Sequence, residues 1–563
     1  MRGRKTYVAR AITKTMWDEV TAREYYRNGY WDVYILNDYM DYWASIFPDK
    51  EFVVGTTGRY TLKETKEIAD RLALKLLDLG VEKGDIISVQ LPSWAEVVFV
   101  ELAAYKIGAV YNVINPAFRA QDVGYILRES QSKILVVPGE FRGFDYAQMV
   151  EELRPQLPGL EHVITVGEGT APGTILFKDL LLEPPRKAYT EEHVRSLKPH
   201  ADDVCLLIFT SGSTGFPKGV LHTGNTVISM ARACAEACGL KQLGLNETVL
   251  ALAPVSHLFG LGGLVNAAIL RGARIVLLDV FSPQAALELI GKEKVTRAAG
   301  VPAQFLVILD ELAQHRGKYD VSSLKSFWVA AAPCPPEAIH KFVELTGAQV
   351  SCVYGLSEGS PSAEGLPGDP LDLVATTGGM PRFGQQIKIV DAEGNELPRG
   401  QAGEILTKGP VNSVGYYNNP EVTAKSYTPD GWLKTGDKGW LGEDGFVRIV
   451  GRIKDTIRRG SEDIDPVEIE NLLAMHPKIA DIAVVAMPDR RLGQRPCAYV
   501  VSRGDERITL EEMQAFLRDR IATFKMPERL EFVGEIPRTS SGKIQRFKLA
   551  EDIANKVASE SPA

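Results

Sequence analysis

The chain has 563 residues, 45% of them apolar and 24% charged, the ordinary mix of a folded protein and a length of roughly three to four domains at about 150 residues each. This excludes a disordered, collagen-like or coiled-coil chain. The net charge is −8, from 64 Lys+Arg against 72 Asp+Glu; with no basic stripe to neutralise a phosphate backbone, nucleic acid is not expected as a partner.

Residues 1–20 are charged and lack an apolar stretch, so they do not read as a secretory leader. Thr61 and Glu64 have capping-box spacing before Ile68, Leu72 and Leu76, and Gly80 is placed to end that helix. A short apolar run Ile86–Val89, a helical segment Ala95–Ile107 and a second run Val110–Ile114 follow. This order implies parallel pairing through a crossover helix. Similar runs recur at Ile134–Val137, Leu206–Phe209, Arg274–Leu278 and Phe327–Ala330. The first ~380 residues therefore read as α/β with buried parallel strands. The most apolar stretch, Val249–Leu270, is broken by Pro254, Ser256, His257 and Asn266, so a buried strand, loop and helix is expected rather than a membrane span.

After Thr377 short strands at Gln386–Val390, Gly403–Thr407 and Phe446–Val450 alternate with glycine turns, which suggests a small β-rich unit. Beyond Arg452 a separate α+β domain is expected. Asp465-Pro466 opens a helix, Ile482–Val485 and Ala498–Val501 are strands, and Thr509 with Glu512 caps another helix. The six cysteines form no C-x-x-C pair and read as reduced thiols of a cytoplasmic protein.

Chemistry concentrates in a few segments. Thr210-Ser211-Gly212-Ser213-Thr214-Gly215-Phe216-Pro217-Lys218 follows an apolar run. Small residues let backbone N–H groups approach polyphosphate oxygens, hydroxyls add donors, and Lys218 adds charge. The segment is not a Walker A loop. A flexible Ser/Gly linker is the competing reading.

Together with Pro254-Val255-Ser256-His257, Tyr354-Gly355-Leu356-Ser357-Glu358, Thr435-Gly436-Asp437, Gly451-Arg452-Ile453-Lys454-Asp455 and Pro537-Arg538-Thr539-Ser540-Ser541-Gly542-Lys543, this loop resembles the adenylate-forming enzymes in motif content and order. The family includes acyl-CoA synthetases, aryl-acid ligases and luciferases of the firefly type. The resemblance runs from about Trp43 to Leu549. It implies an N-terminal domain, 1–451, that binds acid and ATP, and a mobile C-terminal domain, 452–563, that carries a catalytic lysine. The implied reaction joins a carboxylate to ATP as an acyl-adenylate, releasing pyrophosphate, and a thiol then displaces AMP. ATP, Mg²⁺ and coenzyme A are the implied cofactors and substrates. Such chemistry needs positioning and charge neutralisation rather than a nucleophilic side chain.

By the resemblance, Tyr354 stacks on adenine with Ala331, Ala332 and Pro333 on its other side. Gly355 and Ser357 lie by the nucleotide, and Glu358 holds Mg²⁺. Asp437 takes the ribose hydroxyls, Arg452 a phosphate or the ribose, and Lys543 the α-phosphate. Lys454 is the hinge, and Gly460-Ser461-Glu462 enters for the thiol step. Relatives commonly have Gly-Gly-Glu there, so the Ser461 side chain narrows the expected thiol channel. His257, Leu258, Ala331 and Gly355 are implied walls of the acid pocket. A core histidine satisfied by a backbone carbonyl is the competing reading of His257. Relatives that take salicylate or 2,3-dihydroxybenzoate usually have Asn where Leu258 stands, whereas Tyr25-Tyr26-Arg27-Asn28-Gly29-Tyr30-Trp31 resembles the N-terminal arm of ring-acid ligases. The expected substrate is thus a cyclic, aromatic or medium-length carboxylate joined to CoA. A carrier-protein pantetheine is the alternative acceptor, and a non-catalytic nucleotide-binding protein the remote alternative. A homo-oligomer is compatible with the resemblance.

Overall fold

The computed structural model describes residues 19–182, 184, 189–210, 217–240, 244–332, 334–460, 462–504, 506–518, 520–539 and 543–560. Two compact units divide them. One comprises Met1–Ile387 with Thr407–Leu433, the other Lys388–Leu406 with Lys434–Ala563.

The first unit is built on two sheets. In the seven-stranded sheet the order is Lys218–Thr223, Val204–Thr210, Val110–Val113, Ile86–Val89, Ile134–Pro138, His162–Val166, Ile175–Leu176. All pairs are parallel except the edge hairpin of Val204–Thr210 with Lys218–Thr223. The crossover between Ile86–Val89 and Val110–Val113 is the helix Glu96–Lys106. Every residue from Glu96 to Tyr105 is buried, as an all-round apolar helix requires. The helix Leu62–Asp78 begins as its sequence demands: Thr61 Oγ1 accepts from Glu64 N at 3.1 Å, and Glu64 Oε2 accepts from Thr61 N at 2.8 Å. Gly80, at φ +80°, closes it.

The eight-stranded sheet runs Gly359–Glu364, Gln349–Leu356, Ser326–Ala330, Arg297–Gly300, Thr248–Ala251, Arg274–Leu277, Glu51–Gly55, Gly58–Thr61. Its interior is parallel, and antiparallel hairpins form both edges. The apolar stretch 249–270 is the expected strand, loop and helix. It runs through a π-helical turn, Leu261–Val265, into the helix Asn266–Arg271. The helix Gly224–Ala237 is almost wholly buried. It follows an edge strand of the first sheet directly and covers the edge hairpin of the second.

The second unit holds a four-stranded sheet, Gln386–Val390, Gly403–Lys408, Leu433–Leu441, Val447–Arg452. It also holds a sheet in which Gly493–Ser502 pairs with Ile479–Asp489, Ile457–Arg459 and Arg529–Phe532. The long antiparallel pair extends beyond the expected runs Ile482–Val485 and Ala498–Val501. Only its middle is buried, and hydropathy marks only buried rungs. Asp465 caps the helix Pro466–Leu473 by accepting from Val467 N at 2.8 Å. Thr509 and Glu512 form the expected capping box.

Among the described residues no helix is long and apolar enough to cross a membrane. All six cysteines are free thiols, five of them buried.

Candidate functional site

Thr210 and Lys218 are register partners at the base of the edge hairpin, and Thr210 Oγ1 donates to Lys218 O at 3.5 Å. The hairpin therefore holds the two ends of the hydroxyl- and glycine-rich loop together. Ser211, Gly212, Ser213, Thr214 and Gly215 lie outside the described residues. A second chain segment pairs along Lys218–Thr223. Tyr417 N donates to Gly219 O at 2.7 Å, and Leu221 exchanges backbone bonds of 3.0 Å with Val414 and Gly415. This pairing brings Tyr416 beside Lys218, whose Nζ stands 5.9 Å from the ring centre.

Glu358 sits in the tight turn between Gln349–Leu356 and Gly359–Glu364. Its Oε1 accepts from Tyr416 Oη at 2.6 Å, and its carbonyl accepts from Ser413 N at 2.6 Å. Burial, followed by the Glu358 charge, pushes the Tyr416 phenol up, so it remains the donor. Tyr416 thus meets both groups, its ring near the Lys218 cation and its hydroxyl on the Glu358 carboxylate. The adjoining carbonyl of Ser357 accepts from His222 Nε2 at 2.8 Å, and His222 Nδ1 lies 3.2 Å from Thr226 Oγ1. Burial lowers His222 to about 4, against that hydrogen bond, so the imidazole is neutral at pH 7. Gly355 has no room for a side chain. A Cβ there would lie 2.6 Å from Ser360 Oγ and 3.0 Å from Ser360 Cα.

Tyr354 is buried beside this turn. Ala331 leaves the neighbouring strand Ser326–Ala330 at φ +80°. A left-handed conformation is rare for alanine and costs about 1–2 kcal/mol, and such strain gathers at functional sites. Ala332 follows it, exposed; Pro333 lies outside the described residues. His257 caps the next turn, its Nδ1 accepting from Phe259 N at 3.2 Å. An accepting Nδ1 leaves the proton on Nε2. Leu258 is buried in the core against Gly262.

In the second unit Asp437 and Arg452 face each other across the strands Leu433–Leu441 and Val447–Arg452. Arg452 Nε donates to Asp437 Oδ1 at 2.6 Å and Nη2 to Thr435 O at 3.2 Å. Thr435 Oγ1 donates to Ile405 O at 2.7 Å, and Gly436 between Thr435 and Asp437 has φ +69°. Lys454 lies in a short 3₁₀ turn, Ile453–Asp455, exposed, after Arg452. Gly460 turns the hairpin of Ile457–Arg459 with Glu462–Ile464 at φ +64°, and its N–H is held by Leu492 O at 2.7 Å. Glu462 is exposed at its start; Ser461 lies outside the described residues. Lys543 is exposed, its carbonyl accepts from Thr539 N at 2.7 Å, and the neighbouring Ile544 bridges to Arg538. It is therefore anchored to the fold.

Sequence reasoning missed Tyr416 and His222. Neither sits in a motif, and both reach the Ser357-Glu358 turn only through strand pairing. It also missed Arg546, whose guanidinium engages Glu470 and lies 3.6 Å from Asp455 beside the proposed hinge.

A family model described as "AMP-binding enzyme" matches residues 40–417, and one described as "AMP-binding enzyme C-terminal domain" matches 468–543. The chain is 35% identical over 539 residues to the medium-chain fatty-acid–CoA ligase of Escherichia coli, covering 95% of this chain and 93% of that one. It is 32% identical over 546 residues to the 2,3-dihydroxybenzoate-AMP ligase of Bacillus subtilis, covering 96% and 98%. Among solved structures, an anthranilate CoA ligase in complex with anthranoyl-AMP matches with TM-score 0.84 and 27% identity, over 94% of this chain and 98% of that one. The chain belongs to the family of AMP-binding enzymes.

Proposed function

We propose that this chain activates a carboxylic acid with ATP as its acyl-adenylate and passes the acyl group to the thiol of coenzyme A. AMP-forming acid–thiol ligation is the activity class of its family. The observation that carries the residue assignment is the Lys218–Tyr416–Glu358 arrangement at the hydroxyl-rich loop. A cation near the ring and a carboxylate on the ring's hydroxyl meet at one side chain, next to the turn that follows Tyr354.

Lys218 supplies positive charge to the ATP phosphates, with the loop 211–215. Tyr354, Ala331, Ala332 and Pro333 border the adenine, Gly355 lies by the nucleotide, and the Ser357 hydroxyl meets a phosphate. Asp437 takes the ribose hydroxyls, and Arg452, which is hydrogen-bonded to it, the phosphates or the ribose. His257 helps orient the carboxylate of the acid. Lys543 stabilises charge on the α-phosphate during the first half-reaction. Lys454 serves as the hinge between domains 1–451 and 452–563, and Gly460-Ser461-Glu462 serves the thiol step.

Glu358 fits a magnesium ion. Among the described residues no cluster of three or more His, Cys, Asp and Glu could hold a metal, but Mg²⁺ commonly takes one or two carboxylates and completes its shell with substrate phosphates and water. When bound it would neutralise phosphate charge, and Tyr416 fixes the carboxylate that would hold it. Leu258 and the alanines make the acid wall apolar and small, which suits a cyclic, aromatic or medium-length carboxylate. The relatives' own names span a medium-chain fatty acid and ring acids. We place the protein in the cytoplasm, where six free thiols stay reduced.

The test is pyrophosphate release with ATP, Mg²⁺ and a panel of ring and medium-chain acids, with and without CoA, the thioester being detected directly. Thioester formed only with CoA supports the proposal. Adenylate without thioester would point to a carrier-protein acceptor, and no pyrophosphate with any acid to a nucleotide-binding protein without catalysis.

A further inference from the structure

The N-terminal arm, residues 25–31, takes no part in the proposed chemistry, yet it is tied to two places in the fold. It turns sharply after the helix Glu19–Arg27. Tyr30 N and Trp31 N donate to Tyr25 O at 2.9 and 3.2 Å, and Gly29 passes through the turn at φ +71°. Tyr25 and Trp31 are buried, their rings edge to face at 5.0 Å.

One side of the arm is fastened to the helix Gly224–Ala237. Asn225, Ser229 and Arg232 recur at helical spacing and so share one face of that helix. Asn225 Oδ1 accepts from Asp32 N at 2.9 Å, Ser229 Oγ donates to Tyr30 O at 2.8 Å, and Arg232 Nη1 donates to Gly29 O at 2.8 Å. The end of the helix is in turn held by the sheet: Ser351 Oγ donates to Ala237 O at 2.8 Å and Ser326 Oγ to Cys238 O at 2.7 Å.

The other side of the arm reaches the segment that holds Glu358. Trp31 Nε1 donates to Pro410 O at 3.0 Å, a buried contact across 379 residues. Tyr30 meets the Phe383 ring edge-on at 5.1 Å, and a Cβ on Gly384 would lie 2.6 Å from the Tyr30 ring. Beyond Pro410 on the same segment, Ser413 N donates to the Glu358 carbonyl at 2.6 Å and Tyr416 Oη to the Glu358 carboxylate at 2.6 Å. Asn412, next to Ser413, backs the turn, its Oδ1 3.0 Å from where a Cβ on Gly359 would stand. Packing by itself asks only for an apolar ring at position 31. The indole N–H adds a directed bond, and its acceptor belongs to the segment that carries Ser413 and Tyr416.

We propose that the N-terminal arm is a strut for the Glu358 turn, with Trp31 a positioning residue that acts through Pro410 on Ser413 and Tyr416. The helix Gly224–Ala237 is its fixed end. This deepens the reading of Glu358 as the magnesium ligand and rests on it.

The test is ATP–pyrophosphate exchange titrated with Mg²⁺, with the acid of the ring and medium-chain panel that supports exchange best, for the wild type, Trp31→Phe, Tyr416→Phe and the double variant. Trp31→Phe keeps an aromatic ring and loses the N–H. It should raise the Mg²⁺ concentration for half-maximal exchange about two- to tenfold, the factor that one neutral hydrogen bond corresponds to, and approach the wild-type rate at high Mg²⁺. In the double variant the two effects should combine to less than their product, because they pass through one contact. Amide hydrogen exchange across residues 411–417, which needs no acid, should quicken in Trp31→Phe. Circular dichroism verifies folding. Tyr30→Leu, which removes the contacts to Phe383 and Gly384, should act in the same direction on both readouts and replaces Trp31→Phe if that variant does not fold. Unchanged protection of 411–417, effects that multiply in full, or a loss of rate that no Mg²⁺ concentration restores would overturn the strut. A Mg²⁺ requirement raised by Tyr416→Phe and not by Trp31→Phe would overturn the strut alone. A requirement raised by neither, in folded variants, would overturn the metal reading of Glu358 and the strut with it.

Discussion

Tyr416→Phe removes one oxygen and leaves the ring that packs beside Lys218. The lost contact is short, 2.6 Å from Oη to Glu358 Oε1, and its acceptor is a carboxylate. Hydrogen bonds to charged groups contribute about 1.5–3 kcal/mol. The Glu358 backbone stays fixed by Ser413, so the turn keeps its shape and only the carboxylate gains freedom. If Glu358 holds the magnesium ion, that freedom weakens metal binding. The loss converts to roughly 10–150-fold in the Mg²⁺ concentration needed for half-maximal exchange. The assay is ATP–pyrophosphate exchange titrated with Mg²⁺ at saturating acid, wild type against Tyr416→Phe, with circular dichroism as a folding control. The phenylalanine variant should approach wild-type rate at high Mg²⁺. An unchanged Mg²⁺ requirement in the folded variant would refute the metal role of Glu358. A loss of rate that no Mg²⁺ concentration restores would show instead that Tyr416 itself contacts substrate.

Lys543→Ala should lower adenylation by ~10²–10³, the usual effect of removing one charge-stabilising group, yet leave conversion of presynthesised acyl-adenylate to thioester near normal; equal slowing of both steps would count against the assignment. Lys454→Pro fixes φ near roughly −65° and should spare adenylation while thioester formation falls, read by quenched measurement of each half-reaction. Ala331→Gly should relieve the left-handed strain and leave the protein as stable or up to about 1 kcal/mol more stable, measured by urea unfolding; clear destabilisation would mean that the Ala331 methyl matters for packing. Burial raises Asp465 to about 6 and Glu470 to about 7. Both ionise earlier in the unfolded chain, near about 4, so the stability they confer is present at acid pH and is lost as pH rises from about 4 to 7, by up to about 3 kcal/mol each. Glu470→Gln should flatten part of that slope in urea unfolding at pH 5 and 7.5, and an unaltered slope would reject it.

Local rules sufficed for much of this molecule. Capping boxes at Thr61–Glu64 and Thr509–Glu512 depend on side chains three residues apart, so they read directly from sequence and recur in the structure. The parallel strands from Ile86 to Ala330 did too, because strands buried on both faces are continuous apolar runs. The motifs around Lys218, Glu358, Asp437 and Lys543 could be named from their residue order. What surrounds them could not. Tyr416 meets Glu358 across 58 residues and His222 meets Ser357 across 135; no periodicity encodes such distances, since strand pairing alone brings them together. The left-handed turn at Ala331 is likewise a property of the assembled sheet, as alanine by itself does not choose it. Glu364 illustrates the same division. Its sequence neighbours mark it as an ordinary polar residue near a turn, and only register with Val353 and Ala330 beneath a covering helix makes it a buried carboxyl without a partner.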